Sequence, residues 1–186
     1  MEITKIMKIE NNQFECGIWD REGSCLIPLA LLETLPVYQR KTIPSEYLDI
    51  MGHMNIRWYF DLFAKSGRKF FTSHGLDDDY FQGGNFGVFT LKQFIQYFAE
   101  VRVEQTVAVH TRLIGRSDKR FHFMHFMINE TTTQLAATFE ALITHADLKI
   151  RRAAPMPAQI AQKFDATLAK DETLDWEAPI CGVIRL

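Results

Sequence analysis

Asp49-Ile50-Met51-Gly52-His53-Met54-Asn55 runs without a break into Ile56-Arg57-Trp58-Tyr59-Phe60-Asp61-Leu62-Phe63-Ala64-Lys65-Ser66-Gly67-Arg68-Lys69-Phe70-Phe71-Thr72-Ser73. Asn55 suits a helix N-cap, because its side-chain oxygen can accept one of the amide N–H groups that a first turn leaves unpaired. From Ile56 to Ser73 the apolar residues recur at helical spacing, with Ile56, Tyr59, Phe60, Phe63, Gly67, Phe70 and Phe71 on one broad face. The polar stripe is narrow: Arg57, Asp61, Lys65 and Arg68, with Asp61 and Lys65 in the favourable i,i+4 order. A helix this apolar must be covered around most of its circumference. It needs a sheet to wrap it.

The flanking sequence supplies one. Val37 to Ile43 alternates as a strand and stops at Pro44. After the helix, Gly75 and Asp77-Asp78-Asp79 mark an end, and Gln82-Gly83-Gly84-Asn85 a flexible connection. Strands are expected at Phe86–Phe98, Val101–Ile114, Phe121–Ile128 and Gln134–Lys149, rich in aromatic and β-branched residues. Within the second, Val107, Val109, Thr111 and Leu113 keep a period of two. Turns are expected at Gly115–Lys119 and Asn129–Thr133. Pro155 and Pro157 close the sheet, and Ala158 to Lys170 reads as an amphipathic helix with Ile160, Ala161, Phe164 and Leu168 on one face. One strand, one apolar helix and four antiparallel strands make an α+β pattern, a curved antiparallel sheet wrapped around one long helix: the hot-dog fold. Residues 37–150 form that domain and residues 151–186 a C-terminal helix and tail packed on it. Residues 1–36 read as a structural extension, with a hairpin of Ile6–Glu10 and Gln13–Trp19 about Asn11-Asn12, a second turn at Arg21–Ser24, and an apolar run from Cys25 to Leu35.

Composition narrows the function. A chain of 186 residues, 47% hydrophobic and with a formal net charge of −2, is the size of one domain and gives no reason to expect bulk nucleic-acid binding. An anion site must be a local patch. Cys16, Cys25 and Cys181 are odd in number, with no C-x-x-C pair, which fits reduced thiols better than a disulfide framework. The first ten residues lack a signal-peptide h-region, and no stretch approaches the roughly 18 apolar residues of a membrane span. A cytoplasmic protein without membrane contact is expected. No metal is expected either: His122 and His125 point to opposite faces of a strand, His110 and His145 lie on other strands, and Asp77–Asp79 lacks the spacing of a calcium loop. Gly83-Gly84-x-x-Gly87 precedes a strand and is no phosphate loop, and there is no G-x-S-x-G elbow.

The chemistry concentrates in the loop. Asp49 stands just ahead of a helix N-terminus, whose free N–H groups and partial positive charge can stabilise an oxyanion while an ionised carboxylate attacks or activates water. Gly52 permits a sharp backbone path. The competing reading is that Asp49 caps the turn and His53 only packs.

Asp49-x-x-Gly52-His53-x-Asn55, after a strand and before an aromatic helix, resembles the signature of the 4-hydroxybenzoyl-CoA thioesterase family, over a span from about Val37 to the end of the last long strand. The resemblance implies an acyl-CoA thioester hydrolase in which Asp49 is nucleophile or general base and the Ile56 backbone N–H holds the carbonyl oxygen. Asn55 and His53 would assist, while Gly52, Tyr59 and Thr90 would meet the substrate. It implies no cofactor beyond the CoA of the substrate, and a homodimer or tetramer with no nucleic-acid partner. Many members carry a second Asp two residues before the first; Tyr47 stands there in this chain.

Phe89-Thr90-Leu91, Tyr97, Glu100-Val101, Lys119-Arg120, His122, His125, Leu135-Ala136-Ala137, Glu140 and His145-x-Asp147 are further similar to the branch associated with carnitine and betaine breakdown. For a quaternary ammonium, Trp58, Tyr59 and Tyr97 offer a cation–π pocket; the alternative is plain core packing. Arg116, Ser117, Lys119 and Arg120 suit a clamp for the CoA phosphates, against a solvated turn. A hot-dog dehydratase or hydratase acting on β-hydroxyacyl thioesters, and a non-catalytic acyl-CoA-binding module, remain the alternatives to hydrolysis.

Overall fold

The structure, a computed structural model, describes residues 16–19 and 25–186. The expected turns at Asn11-Asn12 and Arg21–Ser24 lie outside the described residues. In chain order the elements are β1 (Cys16–Trp19), β2 (Cys25–Pro28), α1 (Leu29–Glu33), β3 (Val37–Thr42), a 3₁₀ turn (Ser45–Tyr47), α2 (Ile56–Ser73), α3 (Asp78–Gln82), β4 (Phe86–Tyr97), β5 (Thr106–Arg116), β6 (Arg120–Asn129), β7 (Gln134–Asp147), β8 (Arg152–Ala153) and α4 (Ala158–Asp171).

The main sheet is antiparallel, in the order β3-β5-β6-β7-β4, with β8 added to β7. It curls around α2, which buries Tyr59, Leu62, Phe63, Ser66, Gly67, Phe70 and Phe71. Opposite them the sheet presents Phe121, Phe123 and Phe139, and α4 adds Phe164. Phe70 touches the rings of Tyr38, Phe123 and Phe164 at centroid separations of 5.4 to 5.7 Å, within the range of favourable aromatic pairs. This is the hot-dog fold.

The outer face of the sheet is not left wet. Ile27, Leu29, Leu32 and Leu35, together with Trp176 from the tail after α4, pack on Met124, Phe126, Ile128 and Leu135. Middle strands covered on both faces need apolar residues at both parities, and β6 has them, from Phe121 to Ile128.

Both ends of the second long strand differ from the expected ones. The second long strand starts at Thr106, not Val101, because residues 101–105 form a turn with Glu104 at φ +64° and Val101 fully buried. Gly115 and Arg116 belong to β5, not to the turn after it. An unexpected short helix, α3, begins after Asp77, whose carboxylate accepts the Tyr80 N–H at 3.0 Å.

β4 forms the edge opposite β3, with Phe89, Leu91 and Phe94 each more than a third accessible. A bulge interrupts its register with β7: Thr90 pairs with Ile143 and Lys92 with Leu142, so Leu91 is the extra residue. The bulge breaks the two-residue alternation and lets Thr90 and Gln93 face the same cleft.

Candidate active site

The loop before α2 is held by its backbone. Leu48 bridges Met54, the Asp49 N–H donates to His53 O at 2.9 Å, and the Gly52 N–H donates to Asp49 O at 3.1 Å. Gly52 adopts φ +83°, which an L side chain would strain, so the sharp path expected there is realised. Outside anchors fix the hairpin: the Met54 N–H donates to Val101 O at 2.7 Å and the Asn55 N–H to Tyr47 O at 2.9 Å. The turn that shortens β5 therefore supplies the carbonyl that pins this loop.

Asp49 is consequently oriented. Its Oδ1 accepts the Met51 N–H at 2.8 Å, and its Oδ2 lies 3.4 Å from His53 Nδ1. Both side chains remain partly open to solvent. Asn55 caps α2 as expected, Oδ1 accepting the Arg57 N–H at 3.0 Å. Among the described residues the Ile56 N–H has no partner. A carboxylate with a fixed orientation and a free helix-terminal donor occur in one short loop.

Alongside α2 runs a cleft of about 420 Å³, walled by Phe60, Phe63, Gly67 and Phe71 on the helix and by Thr90 and Gln93 on β4. Phe60 lies one helical turn beyond Ile56, so the cleft begins next to the loop. Thr90 faces this cleft. Tyr59 does not: it is buried in the core, its hydroxyl donating to Ala99 O at 3.4 Å and its edge against Tyr97. Burial pushes its phenol pKa up to about 12.

The cation–π pocket also fails at Trp58. Tyr47 stacks on one face at 3.8 Å, and the Arg57 guanidinium lies 4.5 Å from the ring centre. Tyr47 is thus a packing residue of the loop.

The basic turn is only partly available. Arg116 donates to Asp165 of α4, Nε to Oδ1 at 2.6 Å, and so is engaged inside the molecule. Ser117 Oγ accepts the Arg120 N–H at 3.1 Å and shapes the turn. The Lys119 and Arg120 side chains have no partner among the described residues. This turn and Asp49 lie at opposite ends of the sheet. Arg120 pairs with Thr144 while Tyr97, near the loop, pairs with Ala137; the 7 steps from 137 to 144 span about 23 Å.

His122 and His125 do face opposite sides of β6. His122 Nε2 meets Glu140 under the C-terminal tail at 2.8 Å, and His125 lies beside Phe63 and Phe139, the three rings near-parallel with centroids 5.3 to 6.0 Å apart. Among the described residues no three His, Cys, Asp or Glu gather into a metal-ligating group.

A family model described as thioesterase-like superfamily matches residues 43–164. The chain belongs to the thioesterase-like superfamily, and the resemblance carried by Asp49 to Asn55 is borne out. An Agrobacterium fabrum protein named L-carnitine dehydrogenase/betainyl-CoA thioesterase is 31% identical over 68% of this chain and 26% of its own length. The chain therefore spans about a quarter of that relative. A Pseudomonas aeruginosa protein named betainyl-CoA thioesterase is 26% identical over 83% of this chain and 96% of its own length. Among solved structures, a Staphylococcus aureus protein in complex with CoA superposes with a TM-score of 0.73 at 22% identity, over 82% of this chain and 96% of that one. A 1,4-dihydroxy-2-naphthoyl-CoA thioesterase from Synechocystis gives 0.62 at 16% identity, over 75% and 100%. These two likenesses concern the fold.

Proposed function

We propose that this protein hydrolyses acyl-CoA thioesters to the free acid and CoA. The observation that carries the reading is the Asp49 carboxylate, fixed by the Met51 N–H and faced by His53, in the loop that ends at the unpaired Ile56 N–H, one helical turn before Phe60 of the apolar cleft. The thioester oxygen would accept the Ile56 N–H, where the helix N-terminus favours the charge that develops on it. Asp49 would take a proton from a water that attacks the carbonyl carbon, or attack that carbon itself to give a mixed anhydride that a water then hydrolyses to the free acid and Asp49. The C–S bond then breaks and CoA leaves as its thiol. The acyl group would lie along α2.

Two sequence expectations belong to the same reading. The chain works as a homodimer or a dimer of dimers, because β4 is a twelve-residue edge strand with exposed Phe89, Leu91 and Phe94, and such edges are normally paired or covered. Antiparallel pairing of β4 with a second β4 would bring the Phe86 end of one strand to the Tyr97 end of the other. Lys119 and Arg120 of one subunit would then stand level with Asp49 of its partner and could meet the CoA phosphates. The protein acts in the cytoplasm, in keeping with its CoA substrate; no described helix is long and apolar enough to cross a membrane.

The test is thiol release from a panel of acyl-CoAs, with betainyl-CoA and aromatic acyl-CoAs included because of the relatives' names. Release with at least one substrate is expected; none across the panel overturns the reading. The His53–Asp49 pair is also the acid and base a hydratase would require, and that activity would show as a change in enoyl absorbance without thiol.

A further inference from the structure

His125 has no part in the reaction just described, and its burial is unusual. Its side chain is 0% exposed, and Nε2 has no hydrogen-bond partner among the described residues. Leaving such a group unpaired is costly in the absence of a ligand. Nε2 points at Gly67 of α2, and both residues line the cleft. A Cβ built on Gly67 would meet one atom within 4 Å, His125 Nε2 at 3.5 Å. Nothing but that nitrogen crowds the notch a side chain at 67 would take, and the nitrogen itself is covered in this structure.

The proton's position follows from Thr111. Its hydroxyl lies 2.8 Å from His125 Nδ1 and has no other partner among the described residues. If the hydroxyl donates to Nδ1, the ring proton sits on Nε2 and one polar group is left unpaired. If Nδ1 donates instead, both the hydroxyl proton and the Nε2 lone pair are left. The first arrangement wins, so Nε2 is a donor looking for an acceptor. The ring stays neutral, since burial beside Phe63 and Phe139 disfavours its charged form; it has no lone pair for an ammonium and no charge to offset the cost of bringing a carboxylate into an apolar cleft.

We infer that the Gly67 notch and His125 Nε2–H form a subsite for an uncharged acceptor oxygen (ether, ketone or hydroxyl) on the distal part of the acyl chain. This deepens the hydrolase reading above and rests on it for the placement of the thioester. From Ile56 to Gly67 the helix advances 11 residues, about 16 Å. An extended chain advances about 1.2 Å per bond, so the oxygen belongs on the order of a dozen bonds from the thioester. The substrate class is a medium to long, otherwise apolar acyl chain with one oxygen near its far end. The rest of the wall matches: Phe60, Phe63, Phe71 and Phe139 are apolar, and the one carboxylate among the lining residues, Asp78, is paired with Arg68 at the exposed rim.

The experiment compares all-carbon acyl-CoAs with chains of equal length in which a single ether oxygen is moved along the distal half. Both thiol release and calorimetric binding of the corresponding free acids are measured. The wild-type protein should prefer the ether chain at one oxygen position by roughly three- to tenfold, the worth of one neutral hydrogen bond. That maximum should vanish in His125→Phe, which keeps the ring stack. It should vanish also in Gly67→Ala, whose methyl fills the notch at ordinary contact distance and suits a helix. No position-dependent preference in the wild type, or one that persists in either folded variant, overturns the subsite. Positional preference in acid binding without thiol release from any chain would keep the subsite and defeat the hydrolase reading instead.

Discussion

Arg116 and Asp165 join β5 to α4 through a two-pronged ion pair, Nε to Oδ1 at 2.6 Å and the terminal nitrogen to Oδ2, with a further donation from the guanidinium to Ser117 O at 3.1 Å. The arginine is mostly shielded while the aspartate is half exposed. The hydrogen bond from Arg116 holds the Asp165 carboxyl below its ordinary pKa. Solvent screening keeps such a pair to about 1 kcal/mol or less. Arg116→Ala is therefore expected to lower Tm by up to about 4 °C, the scale for a chain of this length. KM for CoA substrates should move little, since this guanidinium is already committed. A severalfold rise in KM at unchanged Tm would show that it leaves Asp165 for the substrate.

Lys119 and Arg120 should behave in the opposite way. With no internal partner to lose, Lys119→Ala and Arg120→Ala are expected to leave Tm within about 1 °C, as surface changes generally do. Each should raise KM for full CoA thioesters while kcat stays close to wild type, the pattern of lost uniform binding. Thioesters of the truncated pantetheine arm lack the nucleotide phosphates and should not distinguish the variants from wild type. Equal losses on both kinds of substrate would remove these residues from phosphate binding.

Acid should destabilise the fold well before the carboxylates titrate. Burial lowers the His125 pKa to about 3, against an ordinary 6.5, and burial also lowers His74 and His110. In this window the unfolded chain binds more protons than the native one, so stability rises with pH. The contribution of His125 is fully present above about 6.5 and is lost progressively as pH falls toward 3. Tm should accordingly drop between pH 7 and pH 4, and His125→Phe should flatten part of that slope. Asp171, raised by burial, acts with the opposite sign, favouring the fold only near and below its own titration. Superimposable slopes for the two proteins would mean that His125 has a solvated route to its proton.

How much of this was legible in the sequence depends on the range of the interaction concerned. The α2 limits, the Asn55 cap and the Gly52 conformation are set within a few residues, and they read correctly from Ile56–Ser73 and its preceding loop. Short turns account for β5, β6 and β7 lying side by side, but not for β4, which passes over to pair with β7, nor for β3 beside β5. Three features depend on contacts remote in sequence and did not show. Arg116 looked free because its partner lies 49 residues later. Tyr59 looked like a pocket residue because helical spacing gives a face but not which part of that face the sheet covers. Gln93 shares a cleft with Thr90 only through the bulge at Leu91, which no alternation pattern announces. One signal was present and unused: both parities of Phe121–Ile128 are apolar or histidine, the mark of a strand covered on two sides.

Asp49→Asn is the sharpest test of the site. The substitution keeps the side chain's shape, and its oxygen can still accept the Met51 N–H that now reaches Oδ1 at 2.8 Å. What it removes is the negative charge facing His53 Nδ1 and the ability to attack a carbonyl or take a proton from water. General-base assistance alone contributes roughly 10² to 10⁴ in rate, so kcat should fall by at least about a hundredfold. KM should change little if the CoA phosphates are held by Lys119 and Arg120 and not by this loop. Had Asp49 only capped the loop, asparagine would serve as well, because the two are near equals in capping; activity per folded molecule would then survive. Purified Asp49→Asn protein with wild-type melting and less than a tenfold loss of thiol release would remove the catalytic role from this residue. Glu46, the other acid in the 3₁₀ turn before the loop, would be the next residue to change.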